Sequence, residues 1–188
     1  MRSLLFAATL LAGCATAPPA KVPDVIFVAT TPEIVDTMLK LAYAGADDVL
    51  YDLGSGDGRI VIAAARDFGV KRATGIEINP ELIAEANANA KAAGVDRRVR
   101  FRNEDLFEAD FRDATIVTLY LLRRLNLRLL PKLLELRPGT RIVSHTFDMG
   151  SWEPERTLHV DGSKIFFWTI PAKGTPEYEA AVAAANGP

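Results

Sequence analysis

The stretch that most constrains this chain is Val49-Leu50-Tyr51-Asp52-Leu53-Gly54-Ser55-Gly56-Asp57-Gly58-Arg59. Its first residues form a short apolar run, the pattern of a buried parallel strand. Three glycines at alternate positions follow, and Ile60 to Arg66 then reads as a helix. A strand that enters a helix through glycines presents bare backbone N–H groups to a ligand at the positive end of that helix. Asp52, at the carboxyl end of the strand, puts a carboxylate where open α/β sheets bind ligands. Spacing then narrows the class of turn. A dinucleotide fingerprint needs Gly-x-Gly-x-x-Gly, and here the third glycine comes one residue early. The Gly-Lys-Ser/Thr of a phosphate-binding loop is absent.

The next segment strengthens the reading. Arg72 to Ile78 is a second strand with Glu77 near its end, 25 positions after Asp52. An acid at the tip of the second strand is placed to hold a ribose diol. Asn79-Pro80-Glu81 is a helix start, and the helix runs through Leu82, Ile83, Ala86 and Ala90 to a stop near Gly94. Val99 to Arg102 alternates as a third strand, with Asn103, Glu104 and Asp105 at its tip. Ala114 to Tyr120 is a fourth strand, rich in apolar and β-branched residues. Leu125 to Leu136 is an amphipathic helix, and Thr140 to Ser144 is a fifth strand with His145 and Asp148 just beyond it. Arg156 to Val160 and Lys164 to Ile170 form a closing antiparallel pair across Asp161-Gly162. Upstream, Thr31-Pro32-Glu33 opens a helix that carries Ile34, Val35, Met38, Leu39 and Leu41 on one face. Residues 172–188 read as a short amphipathic end or a loose tail. Strands alternating with helices and ending in a hairpin predict a three-layer α/β sandwich, a Rossmann-like seven-stranded sheet, mainly parallel.

These residues resemble a family. Asp52 to Arg59, with Glu77 and Asn103-Glu104-Asp105-Leu106, is similar to the class I (seven-β-strand) S-adenosylmethionine-dependent methyltransferases over about residues 28–171. A narrower likeness rests on Val117 to Leu121, Leu136 to His145 and Phe147 to Trp152. These resemble the small lysine methyltransferases related to the mitochondrial enzymes that act on ATP synthase c-subunit and on adenine nucleotide translocase. The resemblance implies S-adenosylmethionine as cofactor, with Asp52, Gly54, Ser55, Gly56, Gly58, Glu77, Asp105 and Leu106 around it. Asp105 and the Leu106 backbone are then expected beside the adenine. The helix before the first strand is expected to help cover the cofactor. Ahead of it, Ile26 to Pro32 departs from the family's Pro-Tyr-Val-Pro-Thr-Pro pattern. The fourth-strand tip faces the reacting methyl group in this family, and Leu119-Tyr120-Leu121-Leu122 lacks the Asn/Asp-Pro-Pro-Tyr/Phe tetrad of adenine and glutamine methylases.

The acceptor is therefore expected to be a protein lysine. A small-molecule methyltransferase, or a secreted non-catalytic binding module of nucleotide fold, are the alternatives. Lysine must lose its proton before it can attack, and Tyr120, His145 and Asp148 are the candidates for that end of the site. Tyr120 either meets the lysine stem or is a buried aromatic. Arg123, Arg124 and Arg128 either form a solvated face or meet an acidic partner or membrane headgroups.

Composition limits the partners. With 22 basic and 24 acidic residues the formal charge is −2, which argues against a general nucleic-acid binder. One cysteine and two well-separated histidines suggest neither an internal disulfide nor a metal site. That cysteine has another use. Met1-Arg2-Ser3 followed by a short apolar run to Ala12-Gly13-Cys14 is a secretory signal too short to span a bilayer. Leu11-Ala12-Gly13-Cys14 resembles the bacterial lipobox, which implies lipidation of Cys14 and attachment to a membrane surface. Residues 1–13 are then a lipoprotein signal peptide, 14–23 a Pro-containing tether, and 24–188 the methyltransferase domain. The expected location is the bacterial cell envelope, with Ala15 favouring the outer membrane, and an uncleaved leader on a cytoplasmic protein is the alternative.

Overall fold

The computed structural model describes residues 27–187. The signal segment, Cys14 and the tether lie outside the described residues. Twelve elements follow in order: α1 (Pro32–Leu41), β1 (Val49–Leu53), α2 (Arg59–Arg66), β2 (Arg72–Glu77), α3 (Pro80–Ala92), β3 (Val99–Asn103), β4 (Ile116–Leu119), α4 (Arg123–Leu133), β5 (Arg141–His145), β6 (Arg156–Val160), β7 (Ser163–Thr169) and α5 (Pro176–Asn186).

The seven strands make one sheet in the order β3-β2-β1-β4-β5-β7-β6. Strands β1 to β5 run parallel, and β7 lies antiparallel between β5 and β6. The strand order reverses between β1 and β4. A crevice opens at such a reversal, outside the carboxyl ends of the strands. The parallel register brings Asp52, Glu77, Asn103 and Leu119 to one end of the sheet: Glu77 pairs with Asn103, and Asp52 lies between Gly75 and Thr118.

Helix ends follow their local chemistry. The Thr31 hydroxyl accepts from the Ile34 N–H at the start of α1, and the Asn79 side chain accepts from the Glu81 N–H at the start of α3. Proline occupies the first position of each, where no intrahelical N–H bond is lost. Gly94, with φ +68°, ends α3. Apolar side chains pack on both faces of the sheet. Leu50, Val61, Ala64 and Met38 lie among α1, α2 and α3, while Leu129 and Leu133 of α4 share the other cluster with Leu53, Trp168 and the alanines of α5. The end of the chain is helical rather than loose: Thr175 caps α5, which buries Ala181 and Ala184 on the α4 side. Helix α4 starts two residues earlier than its apolar pattern predicts, so Arg123 and Arg124 sit in its first turn.

Candidate functional site

The turn after β1 is fixed by β2. The Gly54 and Ser55 N–H groups both donate to the Ile76 carbonyl, at 2.8 and 3.0 Å. The Gly56 N–H donates to Glu77 Oε2 at 3.0 Å, and the Asn79 N–H donates to Glu77 Oε1 at 2.9 Å. The Glu77 carboxylate therefore locks the glycine turn to the start of α3 while keeping lone pairs for a ligand. Gly56 has φ +51°, and a Cβ there would sit 2.2 Å from the Phe27 ring. Backbone approach at that point requires glycine.

Around this turn lies a cavity of about 530 Å³. Asp52, Gly54, Ser55, Glu77, Asp105, Leu106 and Tyr120 line it, so eight of the sequence-predicted positions fall on or beside one space, counting Gly56 through its bond to Glu77. Gly58, with φ +82°, is the residue from which α2 departs, and it faces Phe101 and Ala86 rather than the cavity. The lining carries five carboxylates, from Asp52, Asp57, Glu77, Glu104 and Asp105. Arg59 is the one basic side chain among the described lining residues, and it is committed to Asp57 at 2.9 Å. Glu104 is paired with Arg102. The space thus suits a ligand that carries positive charge.

Asp52 is 2% exposed, and its Oδ1 accepts from the Thr118 hydroxyl at 2.8 Å. Burial pushes its carboxyl up to about 7. The Thr118 bond opposes that rise, and the charges of Glu77 and Asp57 add to it. Asp105 accepts from the Phe107 N–H at 3.0 Å, which orients its carboxylate at the start of the turn after β3. Leu82, Ile78, Leu106 and Phe107 supply apolar wall on the same side, the surroundings a flat heterocycle needs.

The segment before α1 straps the site. Phe27 lies over Gly56, the Thr30 carbonyl accepts from Arg59 Nη1 at 2.8 Å, and the Thr30 hydroxyl is 3.4 Å from His145 Nδ1. Sequence reading missed this bridge. The only local signal is the Asp57-x-Arg59 spacing, which brings acid and base together but not Thr30.

The three catalytic candidates separate. Tyr120 lines the cavity. His145 is buried behind it, the two rings 3.9 Å apart between centroids at 37°. Burial holds the imidazole below its ordinary value, so it is neutral at pH 7, and its Nε2 has no hydrogen-bond partner among the described residues. Asp148 is not on the cavity lining. Its Oδ1 pairs with Arg123 Nε at 3.0 Å and accepts from the Gly150 N–H, also at 3.0 Å.

Known proteins resemble this chain in sequence and fold. The family model described as "ANTKMT methyltransferase domain" matches residues 52–156. The chain is 48% identical to a protein-lysine N-methyltransferase of Saccharolobus islandicus, over 77% of its own length and 90% of that protein's. It is 32% identical to the adenine nucleotide translocase lysine N-methyltransferase of Mus musculus, over 82% and 72%. Among solved structures, an RNA methyltransferase from Salinibacter ruber in complex with S-adenosyl-L-homocysteine superposes with a TM-score of 0.77. That match has 55% identity and covers 79% of this chain and 97% of that one.

Proposed function

This chain belongs to the ANTKMT methyltransferase domain family of S-adenosylmethionine-dependent methyltransferases, and from that premise we propose that its acceptor is the ε-amino group of a protein lysine. S-adenosylmethionine brings the methyl group already activated on a sulfonium, together with an amino-acid moiety and an adenosine. The residues present fit such a group. A cavity of about 530 Å³ with five lining carboxylates matches a ligand bearing sulfonium and ammonium charge. Asp52, Glu77 and Asp105 would hold its polar groups. The strap at Phe27 to Thr31 limits water on one side.

The protein's task is then alignment. Holding nucleophile and methyl carbon in line can supply several kcal/mol of the barrier without a strong base. Tyr120 carries the acceptor reading, because an aromatic ring at an acidic cavity suits the stem and charge of a lysine side chain. His145 backs that ring in its neutral form. Asp148 is engaged by Arg123, so proton loss to solvent, rather than to this carboxylate, fits the geometry.

A second reading comes from the Salinibacter ruber structure, which is described as an RNA methyltransferase. The formal charge of −2 opposes it, since affinity for a polyanion depends on basic surface. Incubating the protein with tritiated cofactor and unfractionated bacterial extract separates the two. Label released by protease and resistant to ribonuclease is the expected result, and the reverse would replace lysine by RNA.

The lipid anchor at Cys14 is part of this proposal and rests on Leu11-Ala12-Gly13-Cys14. It would bring the site to proteins at an envelope membrane. Labelled palmitate should be carried by the native chain and absent from Cys14→Ser. A native chain that retains Met1 and takes up no palmitate would remove the anchor from the account.

A further inference from the structure

A fully buried amide in a helix is costly unless its polar atoms are paired. Asn126 lies within the apolar stripe of α4, among Leu125, Leu129, Leu130 and Leu133, and is fully buried. Its Nδ2 donates to Ser144 Oγ at 3.3 Å, to the Phe147 carbonyl at 3.1 Å and to the Asp148 carbonyl at 3.3 Å. Its Oδ1 has no hydrogen-bond partner among the described residues. An apolar residue would pack there without that cost. The amide instead ties α4 to the segment after β5.

The segment it ties is strained. Thr146 is β-branched yet has φ +68°, and the Phe147 N–H turns back to the His145 carbonyl at 2.8 Å. A three-residue turn with positive φ at its centre is rare for an L side chain. Such backbone persists only where its surroundings over-determine it. Here the restraints are visible. The Phe147 carbonyl receives the Ser144 hydroxyl at 2.6 Å as well as Asn126, and the Thr146 N–H donates to the Lys164 carbonyl at 2.7 Å. The residues on either side of Thr146 both present rings to Tyr120. His145 lies 3.9 Å away, and Phe147 stacks at 6.3 Å and 27°.

We propose that Asn126 is a positioning residue for the acceptor end of the site: it holds the strained His145–Phe147 turn, whose two rings set the orientation of Tyr120. The inference rests on the reading of Tyr120 as the residue that meets the acceptor. Loss of the amide lets the Thr146 backbone relax toward negative φ, and that motion carries both rings with it. Glycine at 146 holds φ +68° without strain. In that background the turn needs no clamp.

The test is a double-mutant cycle of Asn126→Ala and Thr146→Gly in the full chain, with Ser144→Ala as a milder release of the same carbonyl. Two readouts are taken. The first is the NMR resonances of the Tyr120 ring in tyrosine-labelled protein, assigned through Tyr120→Phe. The second is the rate of tritium transfer from S-adenosylmethionine to bacterial extract protein. Asn126→Ala should shift the Tyr120 resonances and lower the rate by about tenfold, while in the Thr146→Gly background the loss shrinks to about threefold or less. Affinity for S-adenosylmethionine should stay within about twofold throughout, because Asn126 does not line the cavity. Unmoved Tyr120 resonances, or equal losses in both backgrounds, overturn the proposal. A native chain that labels no protein overturns the lysine reading instead, and the resonances still decide whether Asn126 positions Tyr120.

Discussion

Gly56→Val removes binding of S-adenosylmethionine, an expected loss of at least about a hundredfold in affinity. Two effects act at this one position. Glycine here holds φ +51°, where a β-branched residue is strained by roughly 1–3 kcal/mol. The new side chain also projects toward the Phe27 ring, which lies 2.2 Å from the position of its Cβ. The ring is half-exposed and lines the cavity, so any shift that makes room for the new side chain displaces the strap. The substitution further disturbs the 3.0 Å bond from the residue-56 N–H to Glu77, so turn and strand tip are loosened together. Gly69→Val separates strain from obstruction. Gly69 has φ +66° and nothing within 4 Å of its Cβ position, so its variant carries similar strain away from the site. Calorimetry should show normal binding for Gly69→Val and none for Gly56→Val. Equal affinities in the two variants would mean that the turn does not approach the cofactor.

Asp52→Asn is expected to make the unliganded protein more stable at pH 7.5 and to weaken its hold on a cationic ligand. The native carboxyl titrates at about 7, against 3.8 when unperturbed. Between those values the folded chain keeps a proton that the unfolded chain has released. Stability from this group is therefore greatest below about pH 4, falls as pH rises toward 7 and is level above it. The loss across that window is on the order of 4 kcal/mol for a fully buried group. Asparagine keeps the shape and the acceptor for the Thr118 hydroxyl but has no charge to bury. Urea unfolding should find the two proteins within about 1 kcal/mol of each other at pH 4.5 and the variant clearly more stable at pH 7.5. The same charge is useful once a cation is bound. Affinity of the native chain for S-adenosylmethionine should rise with pH by up to about tenfold per unit below pH 7, and this slope should vanish in the variant. A pH-independent stability difference would remove Asp52 from the account. Stability is given up here for binding, a common arrangement at functional sites.

Much of the site was legible because a parallel sheet sends its strand ends to one side. Asp52, Glu77 and Asp105 each follow an apolar or alternating run, and that placement alone brings them to the same crevice. The glycine spacing and the two Pro-capped helix starts were readable for the same reason, since each is a local rule. Contacts between distant segments were not. Thr30 and His145 are 115 residues apart, and nothing in either neighbourhood announces the other. Asp148 shows the converse case. It follows a strand tip as the site residues do, but the turn at Thr146 redirects the chain and Arg123 takes the carboxylate. Arg123 and Arg128 looked alike in sequence; one pairs with Asp148 and the other lies 3.6 Å over the Phe107 ring. Helix α5 is rich in alanine and weakly amphipathic, so its docking against α4 depends on small-residue packing that periodicity does not reveal.

On the proposed function, the carboxylate-lined cavity delivers a methyl group past Tyr120 to a lysine nitrogen. Tandem mass spectrometry of extract protein, incubated with the enzyme and deuterated-methyl S-adenosylmethionine, reads the modified atom directly. The predicted result is deuterated methyl groups on lysine ε-nitrogens, present with the native chain and absent with Gly56→Val. Deuterated methyl groups on another residue type, on nucleotides alone, or at equal levels with Gly56→Val would contradict it.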